Sequence, residues 1–344
     1  LGKKANNVTI ATDYDLEGEV IGLNIARELL GKKDANRMKF STLTSDELNA
    51  AYASKAKTLN WGQANAGIVR HTLDWYYGIN LSQIIAASVS KALNRYQPMS
   101  IGRVQGPTLA ILSEREIETK KFKPEPFWQV FANLWLNKQA IKAVHEKNKF
   151  FNESEAKTIF QKIKGKEGKI TNLSKSKQKV FPPPPFDLTS LQMEAYRLFK
   201  YSPSMTLKVA QKLYSSAYIS YPRTSSQKLP KSLNFKKILT KLSSNSKYKQ
   251  IAKQVLATNL KPAEGRKKDP AHPAIHPTGE NPRKMSPYEF KIYDLIVKRF
   301  FAVFGEVGER ESTRIKMDIS GENFKFGGVI TTKPGWMNWY GSYS

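Results

Sequence analysis

The sequence predicts a multidomain protein of α/β plus α+β class, and three observations carry that expectation. A short apolar strand, an acidic turn and a helix follow one another within the first 30 residues. A β-rich segment bracketed by prolines covers residues 127 to 180. Helices return from Thr189 and give way to alternating strands after residue 312. At roughly 100 to 200 residues per domain, a chain of 344 residues suggests two or three domains.

Taken in order, residues 7 to 11 (NVTIA) read as a buried strand, and Ile21, Ile25 and Leu29 then recur every four residues, as one helix face requires. Strand, turn and helix are half of a βαβ unit. From Ser41 to about Lys120 the pattern is mostly helical. LTSDELNAAYAS offers an acidic helix start there, and TLAILSEREIETKKF an amphipathic helix that stops before Pro124 and Pro126. FWQVFANLWL, KAVHE and GKITNLS read as strands, closed off by the stiff run Pro182 to Pro185. A capping box is expected from Thr189 to Gln192, followed by a helix whose buried face holds Leu207, Ala210, Leu213 and Tyr214. A helix from Pro287 to Phe304 precedes the strands RIKMDI and FKFGGVIT.

Charge narrows the partners. Lys and Arg number 56 against 29 Asp and Glu, a formal charge of +27 and a pI near 9.9. Solubility needs far less, so a polyanion is the expected partner, because each neutralised phosphate releases counterions. No apolar run approaches the ~20 residues of a membrane-spanning helix. The absence of cysteine excludes disulfides and thiolate zinc sites in this stretch and fits a reducing cytoplasm.

Four acids, Asp13, Asp15, Glu17 and Glu19, stand at alternate positions in ATDYDLEGEV. If the backbone stays extended, positions 13, 15 and 17 face one side at the C-terminal end of a strand, where open α/β sheets bind ligands. Carboxylates so gathered repel, and a hard divalent cation such as Mg²⁺ offsets the repulsion. The other reading is a helix cap, since acids in a first turn complement the macrodipole. Four acids exceed what a cap needs, which favours the metal.

In AYISYPRTSS, Tyr221 can act as a nucleophile once its proton is accepted, and Arg223 can hold a phosphate in a bidentate fork. Taken alone, a plain strand with a buried aromatic ring and a solvated arginine is favoured for this stretch, because tyrosine is common and the chain has 15. KKDPAHPAIHPTG holds His272 and His276, but Pro273 and Pro277 break the helix that a zinc pair would need, so a rigid loop is expected. In MSIGRVQGPTLAILSERE, Gly102 and a helix start bring Arg103 to a natural phosphate site, although a surface arginine beside a capped helix fits as well.

In that order the stretches resemble one family, the type IA DNA topoisomerases, and the flavour is similar to archaeal topoisomerase I and the topoisomerase III group. ATDYDLEGEVIG resembles the family's DxDxE signature; RHTLDWYYGINLS and SIGRVQGPTLAILSEREI resemble the segments that follow it. The stretch from PPPPFDLTSLQ to AYISYPRTSS resembles the active-site region, and AHPAIHPTG the histidine loop. The resemblance implies that Tyr221 attacks one DNA strand and keeps its 5′ phosphate, with no ATP required. It implies that Asp13, Asp15 and Glu17 hold Mg²⁺ for religation, that Arg223 steadies the scissile phosphate, and that His272 contacts the phosphate network. Ser100, Gly102, Arg103 and Gln105 would bind the strand's backbone. The implied substrate is single-stranded or underwound DNA, the implied outcome relaxation of negative supercoils, and the implied protein a monomer of the cytoplasm, associated with the nucleoid and not with membrane.

The implied fold places a Toprim α/β domain over residues 1–85 and part of a helical base domain over 86–124. A β-rich gate arch takes 125–185 and 313–344, and a winged-helix-like domain carrying the tyrosine takes 186–312 and lifts on the arch to admit a second strand. The chain is expected to be part of a longer protein. The family's first Toprim strand, with a glutamate and a lysine, would precede Leu1; the return half of the base domain and any zinc-ribbon tail would follow Ser344. Three positions depart from the bacterial pattern: Leu16 replaces an arginine, Ser225 an aspartate and His276 an arginine. Two rival readings are a Toprim primase or nuclease, against which YPRT and GRVQ argue, and a non-catalytic DNA-binding protein, which leaves the acids unexplained.

Overall fold

The computed structural model describes residues 4–344, which form two compact units. The chain mixes helix and sheet throughout.

The first unit comprises Leu1–Phe122, Pro185–Leu256 and Glu264–Phe300. Its opening is a βαβ element: β1 (Thr9–Ile10) lies parallel to β2 (Asn36–Arg37), joined through α1 (Leu16–Asn24) and a π-helical turn, Ile25–Leu29. The helix is where the periodicity places it, but its buried face is not. Ile21 and Leu29 are 51% and 62% exposed, while Val20, Leu23 and Ala26 are buried. The reason is close approach: Gly22 sits against the Ile10 side chain and Gly67 against Val20, where a Cβ at either position would collide. Ile10, Leu23, Ala26, Ala35, Leu59 and Ala64 form the core beneath.

After α2 (Ser45–Ala53) comes α3 (Trp61–Leu93), about 50 Å long at 1.5 Å per residue. Asn60 caps its start by accepting from the Gln63 N–H, and Asn94 ends it in the left-handed region. Only Ala64 and Gly67 of α3 are buried, and no residue of α4 (Gln105–Lys121) is.

The tyrosine-bearing part of this unit packs α6 (Leu188–Phe199), α7 (Pro203–Ser215), α8 (Phe235–Ser243), α9 (Lys249–Leu256) and α10 (Pro287–Ala302). The capping box lies two residues earlier than the sequence suggests. Asp187 caps α6 and exchanges bonds with Ser190, because Asp187 already has the extended backbone of a cap and Thr189 is helical. Helix α7 begins on Ser202 with Pro203 in its first turn and buries Ala210, Leu213 and Tyr214. Ala217 then turns the chain at a left-handed φ of 61°, and Ile219 bridges to Pro277 while Phe186 bridges to Ile275. Those bridges lay the tyrosine strand beside the histidine loop.

The second unit comprises Lys123–Pro184, Ala257–Ala263 and Phe301–Ser344. It is an antiparallel sheet in the order β3-β4-β7-β6-β5, from β3 (Phe131–Leu136), β4 (Gln139–His145), β5 (Lys169–Val180), β6 (Gly308–Ile319) and β7 (Glu322–Lys333). Asn137-Lys138 and Ser320-Gly321 make two-residue hairpin turns, all four at positive φ, which matches the twist of the strands they join. The segment expected to be β-rich also holds a helix, α5 (Glu153–Ile163), capped by Asn152. Ala156 and Ile163 of α5 join Val130, Phe150, Met317 and Phe324 in the core, so the apolar residues of this stretch follow two periods rather than one. Edge strand β5 is exposed almost end to end and carries Lys169, Lys175, Lys177 and Lys179, a charge pattern that discourages edge-to-edge pairing. A short helix, α11 (Met337–Tyr340), follows β7.

Candidate active site

The acidic loop leaves β1 and stops being extended sooner than the alternation of acids suggests, because helix α1 begins at Leu16. Asp15 is its N-cap: Oδ1 accepts from the Gly18 N–H at 2.8 Å. The cap reading therefore holds for Asp15, whose other oxygen, Oδ2, accepts the hydroxyl hydrogen of Tyr221. Asp13 Oδ1 accepts from the Tyr214 hydroxyl at 2.8 Å, and the Tyr214 and Tyr221 rings meet edge to face at 5.2 Å. Glu17 lies in the first turn of α1 and goes elsewhere. Its oxygens pair with Arg70 at 3.2 Å and His71 at 2.8 Å, both on α3.

Glu19, which the sequence leaves as a helix-starting charge, is fully buried and pairs with Arg37 at 2.7 Å. It also accepts from the Asn60 N–H at 2.5 Å. Arg37 then donates to the carbonyls of Thr12 and Met38 at 2.8 and 2.9 Å and of Asp13 at 2.8 Å. Sequence reasoning missed Arg37; the only signal was an arginine inside a short strand, where a buried charge needs a partner. The same buried pair thus holds the backbone that carries Asp13 and Asp15.

Tyr221 is 2% exposed. Its N–H donates to the Ser41 carbonyl at 2.7 Å, and its ring lies 4.6 Å from that of His272. Burial, then the bond to Asp15 and the charges of Asp15 and Asp13, push the phenol well above its ordinary pKa; Arg223 acts in the opposite sense. Arg223 is exposed and lines a cavity of about 540 Å³ with Asp13, Asp15, Glu17, Gln211 and Tyr221. A Cβ at Gly18, on the same wall, would collide with the Asp13 carbonyl.

His272 is held from both sides: Nδ1 meets the Ser41 hydroxyl at 2.9 Å and Nε2 the Tyr14 carbonyl at 3.1 Å. Burial lowers its pKa, with Lys39 adding to that, against the opposing pulls of Asp269, the Tyr14 carbonyl and Asp15. Asp269 organises the loop by accepting from the N–H groups of Ser225, Ala271 and His272. Burial would raise the Asp269 pKa, but those bonds outweigh it and hold the carboxyl below its ordinary value. His276 is elsewhere, fully buried with Nδ1 donating to the Pro277 carbonyl.

Ser100, Gly102, Arg103 and Gln105 precede or begin α4, away from Tyr221 in the bonding pattern. Arg103 grips Asp74 at 2.7 and 3.3 Å, Asp74 meets Arg70 at 3.8 Å, and Arg70 reaches Glu17. A chain of exposed ion pairs thus runs from Arg103 to the acidic loop.

Magnesium is bound through one or two carboxylates together with water and phosphate oxygens. Asp13, Asp15 and Glu17 line one cavity and supply that chemistry, although Asp15 also accepts from the Gly18 N–H and the Tyr221 hydroxyl and Glu17 also pairs with Arg70 and His71. Among the described residues, no three acidic or histidine side chains cluster closely enough to hold a metal ion by themselves. Among them, too, no helix is long and apolar enough to cross a membrane.

A family model described as DNA topoisomerase matches residues 58–344. The chain is 48% identical over 342 residues to DNA topoisomerase 1 of Methanocaldococcus jannaschii, covering 99% of this chain and 44% of that protein. To DNA topoisomerase 1 of Pyrococcus horikoshii it is 44% identical over 348 residues, covering 100% of this chain and 51% of the relative. Full-length topoisomerase I from Thermotoga maritima superposes with a TM-score of 0.76 at 25% identity, over 98% of this chain and 55% of that one. The chain therefore spans about half the length of the curated relatives it matches. With the fold, the ordered motifs and the family match in agreement, the chain belongs to the type IA DNA topoisomerases.

Proposed function

We propose that the full-length protein cuts one strand of DNA through Tyr221, holds the 5′ phosphate as a phosphotyrosine, admits a second strand and reseals the first, relaxing negatively supercoiled DNA. One observation carries the reading: the Tyr221 hydroxyl donates to Asp15 in a cavity that also presents Asp13 and Arg223.

The reaction exchanges one phosphodiester for another. The bond from the Tyr221 oxygen to phosphorus forms as the bond from phosphorus to the 3′ oxygen breaks. The proton lost by the phenol is balanced by the one the departing 3′ oxygen takes up. The energy of the cut bond stays in the new ester, so no ATP is consumed. Asp15 orients the attacking oxygen, and Arg223 supplies N–H donors for the charge that gathers on the phosphate oxygens. Burial and the charges of Asp15 and Asp13 keep Tyr221 protonated, and Arg223 acts in the opposite sense. His272, against the tyrosine ring, exchanges the Tyr14 carbonyl for the same phosphate as the partner of its Nε2–H. Asp13, Asp15 and Glu17 would hold Mg²⁺, which would supply charge neutralisation for resealing.

In domain terms, we read residues 1–85 as Toprim, 86–124 as part of the helical base, 125–185 and 313–344 as the gate arch, and 186–312 as the winged-helix-like tyrosine domain. The parallel pairing of β1 with β2 and the five-stranded antiparallel sheet support this division. The substrate is single-stranded or underwound DNA, attracted by the excess of 56 basic over 29 acidic residues, and the protein acts as a monomer in the cytoplasm, at the nucleoid.

The test mixes the full-length protein with a single-stranded oligonucleotide and Mg²⁺, denatures it rapidly and assays for a covalent adduct. Wild type gives one and Tyr221→Phe gives none. A wild type without an adduct, or an adduct in Tyr221→Phe, overturns the proposal. Asp13→Asn loses activity while retaining DNA binding.

A further inference from the structure

One residue outside the expected site contacts both the nucleophile and the histidine. Ser41 follows β2 by a few residues and is half-buried. Its carbonyl accepts from the Tyr221 N–H at 2.7 Å, and its hydroxyl lies 2.9 Å from His272 Nδ1. Ser41 is itself anchored, because its N–H donates to Glu47 Oε1 at 2.6 Å and Glu47 Oε2 is held by the Thr42 hydroxyl.

The direction of these bonds can be derived. His272 Nε2 faces the Tyr14 carbonyl at 3.1 Å, and a carbonyl oxygen only accepts, so the ring hydrogen sits on Nε2. In a neutral ring Nδ1 is then the acceptor, and the Ser41 hydroxyl is its donor. Burial at 5% exposure favours that neutral ring. The nitrogen carrying the hydrogen is the one turned towards the acidic loop through Tyr14, between Asp13 and Asp15.

We propose that Ser41 is a positioning residue for strand cleavage: its hydroxyl donates to Nδ1 of His272 and holds the ring, whose hydrogen the Tyr14 carbonyl keeps on Nε2, against Tyr221, while its carbonyl sets the backbone of Tyr221. The proposal rests on the topoisomerase reading for its consequence in cleavage, and on hydrogen-bond geometry alone for the tautomer. Without the serine hydroxyl Nδ1 loses its donor, and of the two ring bonds only the one to the Tyr14 carbonyl remains to hold the imidazole.

The experiment uses full-length protein labelled with ¹⁵N-histidine, with the His272→Gln spectrum identifying the ring. Wild type shows a single neutral tautomer with the hydrogen on Nε2. Ser41→Ala keeps that tautomer but moves the Nδ1 resonance downfield, to that of an acceptor without a donor, together with a phosphotyrosyl adduct yield about fivefold lower, the size of one neutral hydrogen bond. Ser41→Thr, which keeps a hydroxyl, restores both. The proposal is overturned if wild type carries the hydrogen on Nδ1, if Ser41→Ala leaves the Nδ1 resonance unmoved, or if the resonance moves with no change in adduct. A wild type that forms no adduct defeats the topoisomerase reading instead, and the spectrum still decides the tautomer.

Discussion

Tyr221 donates its hydroxyl hydrogen to Asp15, whose other carboxylate oxygen caps helix α1. One side chain therefore starts a helix and holds the phenol proposed as the nucleophile. Asp15→Ala removes the cap, typically ~1 kcal/mol, and leaves a buried phenol without its partner, at about 1 to 3 kcal/mol. Asp15→Asn keeps an oxygen for the cap and sets an amide N–H against the Tyr221 hydroxyl, which can accept it. Urea unfolding should show the alanine variant destabilised by about 2 to 4 kcal/mol and the asparagine variant by far less. Equal losses in both would mean that the charge, not the hydrogen bonds, stabilises this corner.

The buried pair of Glu19 and Arg37 makes a sharper stability prediction. Removing one partner strands a charge in the core, at about 3 to 5 kcal/mol. Glu19→Ala should approach that loss in equilibrium unfolding, and Arg37→Met should in addition free the carbonyls of Thr12 and Asp13. Its adduct yield should then fall more than its stability explains. A mild effect in both variants would show that water reaches this pair.

His276 gives the protein a pH dependence. Burial depresses its pKa below the ordinary 6.5, against weaker opposing pulls from the Pro277 carbonyl and Glu47. The unfolded chain therefore binds a proton below about pH 6.5 that the folded protein refuses. The stabilisation is complete above that pH and declines as pH falls through the window below it, by up to about 1.4 kcal/mol per pH unit for one ring. His272 adds in the same direction. Unfolding free energies between pH 5 and 7 should rise with pH, and His276→Gln should flatten the slope by one proton's share.

Arg103 and Asp74 are both exposed, so their pair is screened and adds little to the fold. Arg103→Ala should leave the unfolding midpoint where it is. If Arg103 exchanges Asp74 for a DNA phosphate, the logarithmic salt slope for single-stranded DNA binding should shrink by about 0.7, one contact's worth. An unchanged slope would remove Arg103 from the interface.

Much of this was legible in the sequence, and the gaps have physical causes. The strand, turn and helix from residue 7 to residue 24 follow from periodicity, as do α7 and the paired strands β6 and β7. Periodicity fixes that a helix exists, but the buried face depends on what approaches it. Gly22 and Gly67, not the apolar isoleucines, mark the packed side of α1. The alternation of Asp13, Asp15 and Glu17 assumed an extended backbone, which ends at Leu16, so the third acid turns to α3. Partners far apart in the chain, such as Tyr214 for Asp13 or Arg37 for Glu19, leave no local trace. The helix α5 was hidden because its short apolar stripe lies between strands of similar composition.

Tyr221 is one of 15 tyrosines, and at 2% exposure it is among the least accessible. Electrophiles that nitrate or iodinate phenols will find exposed rings such as Tyr52, Tyr76 and Tyr96 first. On the proposed reading the attacking phenol is thus hidden from small reagents in the resting protein, and DNA bound in the cavity should change how readily they label it.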